Sequence, residues 1–300
     1  MSPINILLTC TTLALLSHAQ TFLNYSAISN TSTSACPGPG GAHIIVARAS
    51  TEPLGYGVIG FVKDRVLALN PASNADYVVY PATLTDYVNS EAAGVLGMRA
   101  LVETFLAQTD CHNAPIVLMG YSQGAQVVND YLSGQNLNVI PHNSTLESPA
   151  PASTFDRLAA AVTMGDPSIN ITNNPFHIGN STQSGLFPRQ DNSSAVLNQW
   201  EAKLQSYCDP LDPYCASAGN FDNISVHLGY VQEYGEDAAQ FVVQKIQEYY
   251  GANGSNSTAG STNSTSGSTT PYTGTAASTH VGGTIAMLLF AVGAVSLLGL

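Results

Sequence analysis

Between Pro115 and Ala125 the chain reads PIVLMGYSQGA, an apolar run that passes directly into Gly120-Tyr121-Ser122-Gln123-Gly124. A G-x-S-x-G pentapeptide that follows a strand and opens a helix has the pattern of a nucleophile elbow, a turn so tight that its central serine is lifted clear of both flanks. Glycines suit its two ends, because a turn packed against a helix leaves no room for a Cβ there. Gln123 to Leu132 has the composition of a helix, which puts Ser122 at a helix N-terminus, where free N–H groups favour developing negative charge. An acyl-transfer nucleophile needs that environment. A Gly-rich turn carrying an idle serine would not need a strand before it and a helix behind it.

The flanking segments extend the same pattern. His43 to Ala49 (HIIVARA) is a predicted buried strand ending in the loop Ser50-Thr51-Glu52-Pro53. Val58, Ile59, Val62, Val66 and Leu69 fall at helical spacing, and Asn70-Pro71 stops that helix. A second strand is expected over Tyr77 to Tyr80 and a long amphipathic helix over Ser90 to Ala107. Pro115 to Gly120 and Leu158 to Met164 supply further strands, the latter closed by Gly165-Asp166-Pro167. Ser168 to Val196 reads as irregular, Leu197 to Ser206 as a short helix, and Glu236 to Tyr249 as the last helix. Strands alternating with helices predict an α/β fold: a parallel sheet of about five strands, helices on both faces, and no separate lid. Ligands of such sheets bind at the carboxyl ends of the strands. Ser50, Ser122 and Gly165-Asp166 all follow such ends.

Both termini have the pattern of processing signals. Residues 1–19 hold the apolar run Ile4 to Leu16 and then Ser17-His18-Ala19, a small-x-small cleavage site of a signal peptide, although no basic residue precedes the run. Ile285 to Leu300 is apolar to the last residue, and no Lys or Arg follows Lys245. A spanning helix normally has a basic cytoplasmic flank. Small residues at Gly274 to Ala277, a short polar spacer and an apolar tail instead match a glycosylphosphatidylinositol attachment signal over 279–300. A true membrane span is the rival reading. Residues 252–278 are rich in Ser, Thr, Asn and Gly and read as a flexible stalk. The expected folded domain is 20–251.

The net charge of −12 argues against nucleic acid or anionic lipid as partners. Removal of Cys10 with the leader leaves Cys36, Cys111, Cys208 and Cys215, an even number that permits three pairings. Cys208 and Cys215 are near enough in sequence to clamp a local loop, leaving Cys36 with Cys111. Sequons at Asn24, Asn30, Asn143, Asn170, Asn180, Asn192, Asn223, Asn253, Asn256 and Asn263 agree with a secretory route.

A serine hydroxyl needs a base, and the base an orienting acid. In this fold they follow the serine in the order acid, then histidine. Of the seven histidines, that order leaves His142, His177 and His227 once His280, beyond the stalk, is set aside. The first two lie in sequon-rich segments with nothing apolar to fix a ring. His227 is expected at the end of a loop just ahead of the last helix and is preferred. For the acid, Asp166, Asp209, Asp212 and Asp222 compete. Asp166 is favoured by its place after a strand, Asp212 by its place inside the Cys208 to Cys215 loop.

Taken together, ARASTEPLGYG at Ala47 to Gly57, GYSQGA at Gly120, MGDP at Met164, SYCDPLDPYC at Ser206 to Cys215 and HLGYVQEYG at His227 to Gly235 resemble the cutinase and acetylxylan esterase family of secreted fungal serine esterases. The resemblance covers most of the folded domain. It implies Asp212 as the acid, His227 as the base, Ser50 and Gln123 as the oxyanion hole, two disulfides paired as above, and a small lidless site open to solvent. It implies no metal and no cofactor. DPLDPYC, MGDP and GYVQEYG are closer to the acetylxylan esterase branch, although that branch's extra cysteines are missing and GYSQGA stands where it often has GYSQGG. The loop from Ala216 to Val226 has only Phe221, Ile224 and Val226 as large apolar groups, which favours acetylated polysaccharide over cutin.

The expected protein is thus a monomeric, exported serine esterase that hydrolyses acetylated xylan-type polysaccharide and meets the membrane only through a lipid anchor. A cutinase or broad lipid-ester hydrolase is the alternative within the class. A catalytically silent cell-wall glycoprotein is the alternative outside it.

Overall fold

A computed structural model describes residues 35–254 apart from 112, 135–148, 173 and 218–220. The expected leader, most of the stalk, the apolar tail, His142 and the sequons at Asn24, Asn30, Asn143, Asn256 and Asn263 lie outside the described residues. No described helix is long and apolar enough to cross a membrane.

The strands are β1 (His43–Ala47), β2 (Asn74–Tyr77), β3 (Ile116–Tyr121), β4 (Leu158–Met164), β5 (His177–Ile178) and β6 (Leu204–Tyr207). They form one parallel six-stranded sheet in the order β2-β1-β3-β4-β6-β5. The chain leaves β1 for one edge and returns on its other side as β3, so the crevice beyond their carboxyl ends is a topological switch point, where such sheets bind ligands. Ser50 follows β1 and Ser122 follows β3, which puts both at this crevice.

Successive side chains on a strand face opposite ways, and the core divides accordingly. Ile45, Ile116 and Leu118 pack on one face with Val95, Met98 and Val102 of α2 (Tyr87–Leu106) and Val127, Tyr131 and Leu132 of α3 (Gln123–Ser133). Ile44, Val46, Val117, Met119 and Tyr121 pack on the other with Val62 and Val66 of α1 (Gly60–Leu69) and Ala239, Val242 and Ile246 of α6 (Ile224–Gly254). Both faces of β1 and β3 are buried, as their unbroken apolar runs require.

Several expectations are corrected. The second strand is Asn74–Tyr77, not Tyr77 to Tyr80. It is an edge strand held by its ladder to β1, and the apolar Val78 and Tyr80 lie past its end, buried against α2. Leu197 to Ser206 is not a helix. A helix, α5, occupies Asp191–Asn198, a single 3-10 turn covers Glu201–Lys203, and Leu204–Tyr207 pairs with β4 as β6. Leu197, Trp200 and Leu204 fall at helical spacing, but the open flank of β4 offers backbone partners that local spacing does not reveal. The stretch expected to be irregular contains β5 as well as most of α5. The last helix begins at Ile224 instead of Glu236 and runs to Gly254, three residues into the expected stalk. Gly229 and Gly235 lower its local propensity, but burial of Tyr230, Ala238 and Ala239 compensates. His227 therefore sits in the first turn of a helix and not in a loop. The short helix α4 spans Ala152–Arg157 and leads directly into β4.

Candidate active site

Ser122 occupies the turn between β3 and α3 with φ 53° and ψ −120°, a left-handed conformation that is costly for any residue with a Cβ. The neighbouring glycines make this turn possible. A Cβ on Gly120 would stand 2.2 Å from the Gly124 carbonyl oxygen, and one on Gly124 would stand 2.1 Å from that of Ala47. The Ser122 N–H donates to the Met164 carbonyl (2.8 Å), tying the elbow to the end of β4.

The Ser122 hydroxyl lies 2.9 Å from Nε2 of His227, whose Nδ1 lies 2.8 Å from Oδ2 of Asp212. Ser122 and His227 are 105 residues apart in sequence, and the fold brings them together. Tyr121 donates its hydroxyl to the His227 carbonyl, and the Tyr214 ring packs against the imidazole at 4.5 Å between centroids. The Cys208–Cys215 disulfide closes the loop that presents Asp212, and the Cys36–Cys111 disulfide closes a long one near the start of the domain.

Asp212 is fully buried, yet each carboxylate oxygen has two donors. Oδ1 accepts the N–H groups of Tyr214 (2.7 Å) and Cys215 (3.0 Å). Oδ2 accepts from His227 and from the Tyr230 hydroxyl (2.8 Å). Burial opposes the charge, but the His227 bond and charge and the two backbone N–H groups outweigh it and hold the carboxyl below its usual range. Tyr230 itself accepts the Asp209 N–H (2.9 Å), and burial followed by the Asp212 charge raises its phenol far above the ordinary value. It remains a donor at any working pH.

The other candidates for the acid lie in different surroundings. Asp166 is buried and accepts from Asn129 Nδ2, the Ser168 N–H and the Ser168 hydroxyl, each at 2.7 Å, with Arg189 at 3.8 Å. Burial raises its pKa despite Arg189. Asp209 accepts the Tyr234 hydroxyl (2.8 Å), and Asp222 is exposed. His177 bonds through Nε2 to the Cys208 carbonyl (2.9 Å). The imidazole that meets Ser122 is therefore that of His227, and the carboxylate it meets is that of Asp212.

At the other side of the crevice the Ser50 hydroxyl is buried without a hydrogen-bond partner. Gln123 is the first residue of α3, so its N–H has no acceptor within the helix. Its side chain points away into a buried network, accepting from Ser90 Oγ (3.0 Å) and donating to the Thr83 carbonyl (3.3 Å). Among the described residues, no three His, Cys, Asp or Glu side chains converge as a metal site. Tyr230 is the site residue that sequence reasoning missed. Its signal was its place three residues after His227, which on a helix shares a face with it.

A parallel sheet with a strand-serine-helix elbow at its carboxyl rim, a histidine at the serine and an aspartate at the histidine define an α/β-hydrolase. The profile of the Cutinase family matches residues 35–246, and the chain belongs to that family. It is 33% identical over 213 residues to an acetylxylan esterase of Hypocrea jecorina, covering 68% of this chain and 67% of that protein. To cutinase 11 of Verticillium dahliae it is 34% identical, covering 68% of each. Among solved structures, an acetylxylan esterase superposes with a TM-score of 0.61 at 31% identity, covering 71% of this chain and all of the other. The chain is accordingly a carboxylic ester hydrolase.

Proposed function

We propose that Ser122 attacks the ester carbonyl to form an acyl-enzyme, which water then hydrolyses. His227 takes the hydroxyl proton at Nε2 and delivers it to the leaving alcohol, and in the second half it activates the water in the same way. Asp212 holds the Nδ1–H tautomer and stabilises the imidazolium. The Ser50 hydroxyl and the Gln123 N–H stabilise the tetrahedral oxyanion. The observation that carries this reading is the unbroken hydrogen-bonded series from Ser122 through His227 to Asp212.

For the substrate we propose acetyl esters on a xylan-type polysaccharide, supported by the acetylxylan esterases among the relatives. One observation favours a second reading, a cutinase or lipid-ester hydrolase. Leu211 and Leu228, next in the chain to Asp212 and His227, are 57% and 63% exposed, and Leu84 and Leu186 are also exposed. Initial rates on a short acetyl ester, acetylated xylan and a long-chain ester, measured side by side, separate the two. A long-chain preference would displace the polysaccharide reading.

Two disulfides suit an oxidising compartment and support export. The proposal of a glycolipid anchor rests on residues 274–300, and its test is release of esterase from intact cells by a phosphatidylinositol-specific phospholipase. Finding Ile285 to Leu300 in the mature membrane-bound protein would refute it.

A further inference from the structure

Two residues past Ser50, the half-buried Glu52 turns its carboxylate back over its own loop. Oε2 accepts the Ala49 N–H (2.6 Å) and Oε1 accepts the Val58 N–H (2.7 Å). One carboxylate therefore joins the residue before Ser50 to the residue at the far end of the loop, just ahead of α1. Gly57 lies directly beneath it at φ +62°, and a Cβ there would stand 2.0 Å from Oε2. Only glycine leaves this carboxylate its place.

The other side of Ser50 is also tied. The Thr51 N–H donates to the Ala82 carbonyl (2.6 Å), and Arg48 donates to the carbonyls of Tyr80 (2.8 Å) and Glu52 (3.0 Å). Thr51 and Ala82 have φ values of 66° and 50°, a strained state that persists only where surrounding contacts over-determine it. Between these ties the Ser50 hydroxyl is left buried and unpaired. A donor kept free and immobile before the reaction costs no reorganisation when charge develops.

We infer that Glu52 is a positioning residue that aims the Ser50 hydroxyl at the developing oxyanion. This rests on the reading of Ser50 as an oxyanion donor. The chemistry asks for a carboxylate, because two N–H groups must be accepted by one side chain at once. A glutamine of the same size offers one acceptor oxygen and turns its NH₂ on the other N–H.

The test is a double-mutant cycle of Glu52→Gln and Ser50→Ala, with steady-state kinetics on para-nitrophenyl acetate and thermal melts of every variant. Glu52→Gln is expected to lower kcat about tenfold with KM changed by less than about twofold. In the Ser50→Ala background the same change is expected to cost no more than about threefold, because the group it positions is gone. Gly57→Ala, which displaces the carboxylate sterically, is expected to show the same dependence on Ser50. Equal losses in both backgrounds, or an unchanged kcat in Glu52→Gln, would overturn the inference and leave the oxyanion reading intact. An unchanged kcat in Ser50→Ala would instead remove the oxyanion reading, and the inference with it.

Discussion

Gly165 makes room for His227: a Cβ on Gly165 would stand 2.8 Å from Cε1 and 3.0 Å from Nδ1 of the imidazole. Gly165 also has φ +65°, so a side chain there would be strained even without the ring. Gly165→Ala is expected to push the imidazole off the line between Ser122 and Asp212 and to lower kcat by about 100-fold, since a displacement of about 1 Å has that effect. Kinetics on an acetyl ester, with a melt to show that the protein folds, check this. Near-normal turnover would mean that the ring tolerates the shift.

Replacing Ser122 by Ala is expected to leave the fold intact and to lower the rate by about five to six powers of ten, because nucleophile and base act as a unit. Titration with an active-site phosphonate should also lose its covalent adduct. A variant that still turns over near the natural rate would end the assignment.

Asp212→Asn is expected to cost about 10⁴-fold in kcat through the wrong imidazole tautomer. Asp166→Asn is expected to act on stability, since its contacts are with Asn129, Ser168 and Arg189 and not with His227. Reversed outcomes would make Asp166 the acid.

The two carboxylates should also respond oppositely to pH. Asp212 has a depressed pKa in the folded state, so the stability it contributes is present above the unfolded value of about 3.9 and is lost as pH falls through its lower folded value. Asp166 has a raised one, so its contribution is present below about 3.9 and is lost as pH rises through the folded value. In melts, wild type should gain on Asp212→Asn as pH rises toward about 3.9, and should lose on Asp166→Asn as pH rises above about 3.9. The same slope for both pairs would contradict the opposed environments.

The disulfides should separate stability from activity. Chain-entropy closure of the 75-residue separation between Cys36 and Cys111 contributes about 4.5 kcal/mol, against about 2.5 kcal/mol for the 7-residue separation between Cys208 and Cys215. Removing the first bridge is expected to lower Tm more. Removing the second is expected to lower kcat more, because it frees the loop that carries Asp212. Paired Cys→Ala variants, measured by melt and by rate, check both orders.

Much of this was legible from local pattern. The elbow was readable because its chemistry is contiguous: an apolar strand, two glycines that sterics demand, and a helix directly after Ser122. β1, β3, β4 and the helices behind them followed from apolar runs and spacing, since strands buried on both faces are strongly patterned. Weaker patterns misled. The segment leading into β6 carries helical spacing, β2 is a polar edge, and the glycines after His227 concealed the first turns of α6.

By itself, the sequence determined the strand–serine–helix turn and the alternation that makes a parallel sheet, because each depends on neighbours within one or two turns of chain. The sequence named Asp212 through family resemblance alone, and only the tertiary structure gives the physical reason why the imidazole meets that carboxylate. Asp166, Asp209 and Asp212 all lie on loops after β4 or β6, and nothing local to any of them distinguishes a carboxylate that accepts from His227 from one that accepts from Asn129 or Tyr234. That choice depends on the packing of α6 against the sheet, which sets its first turn, and His227 with it, over the Cys208–Cys215 loop.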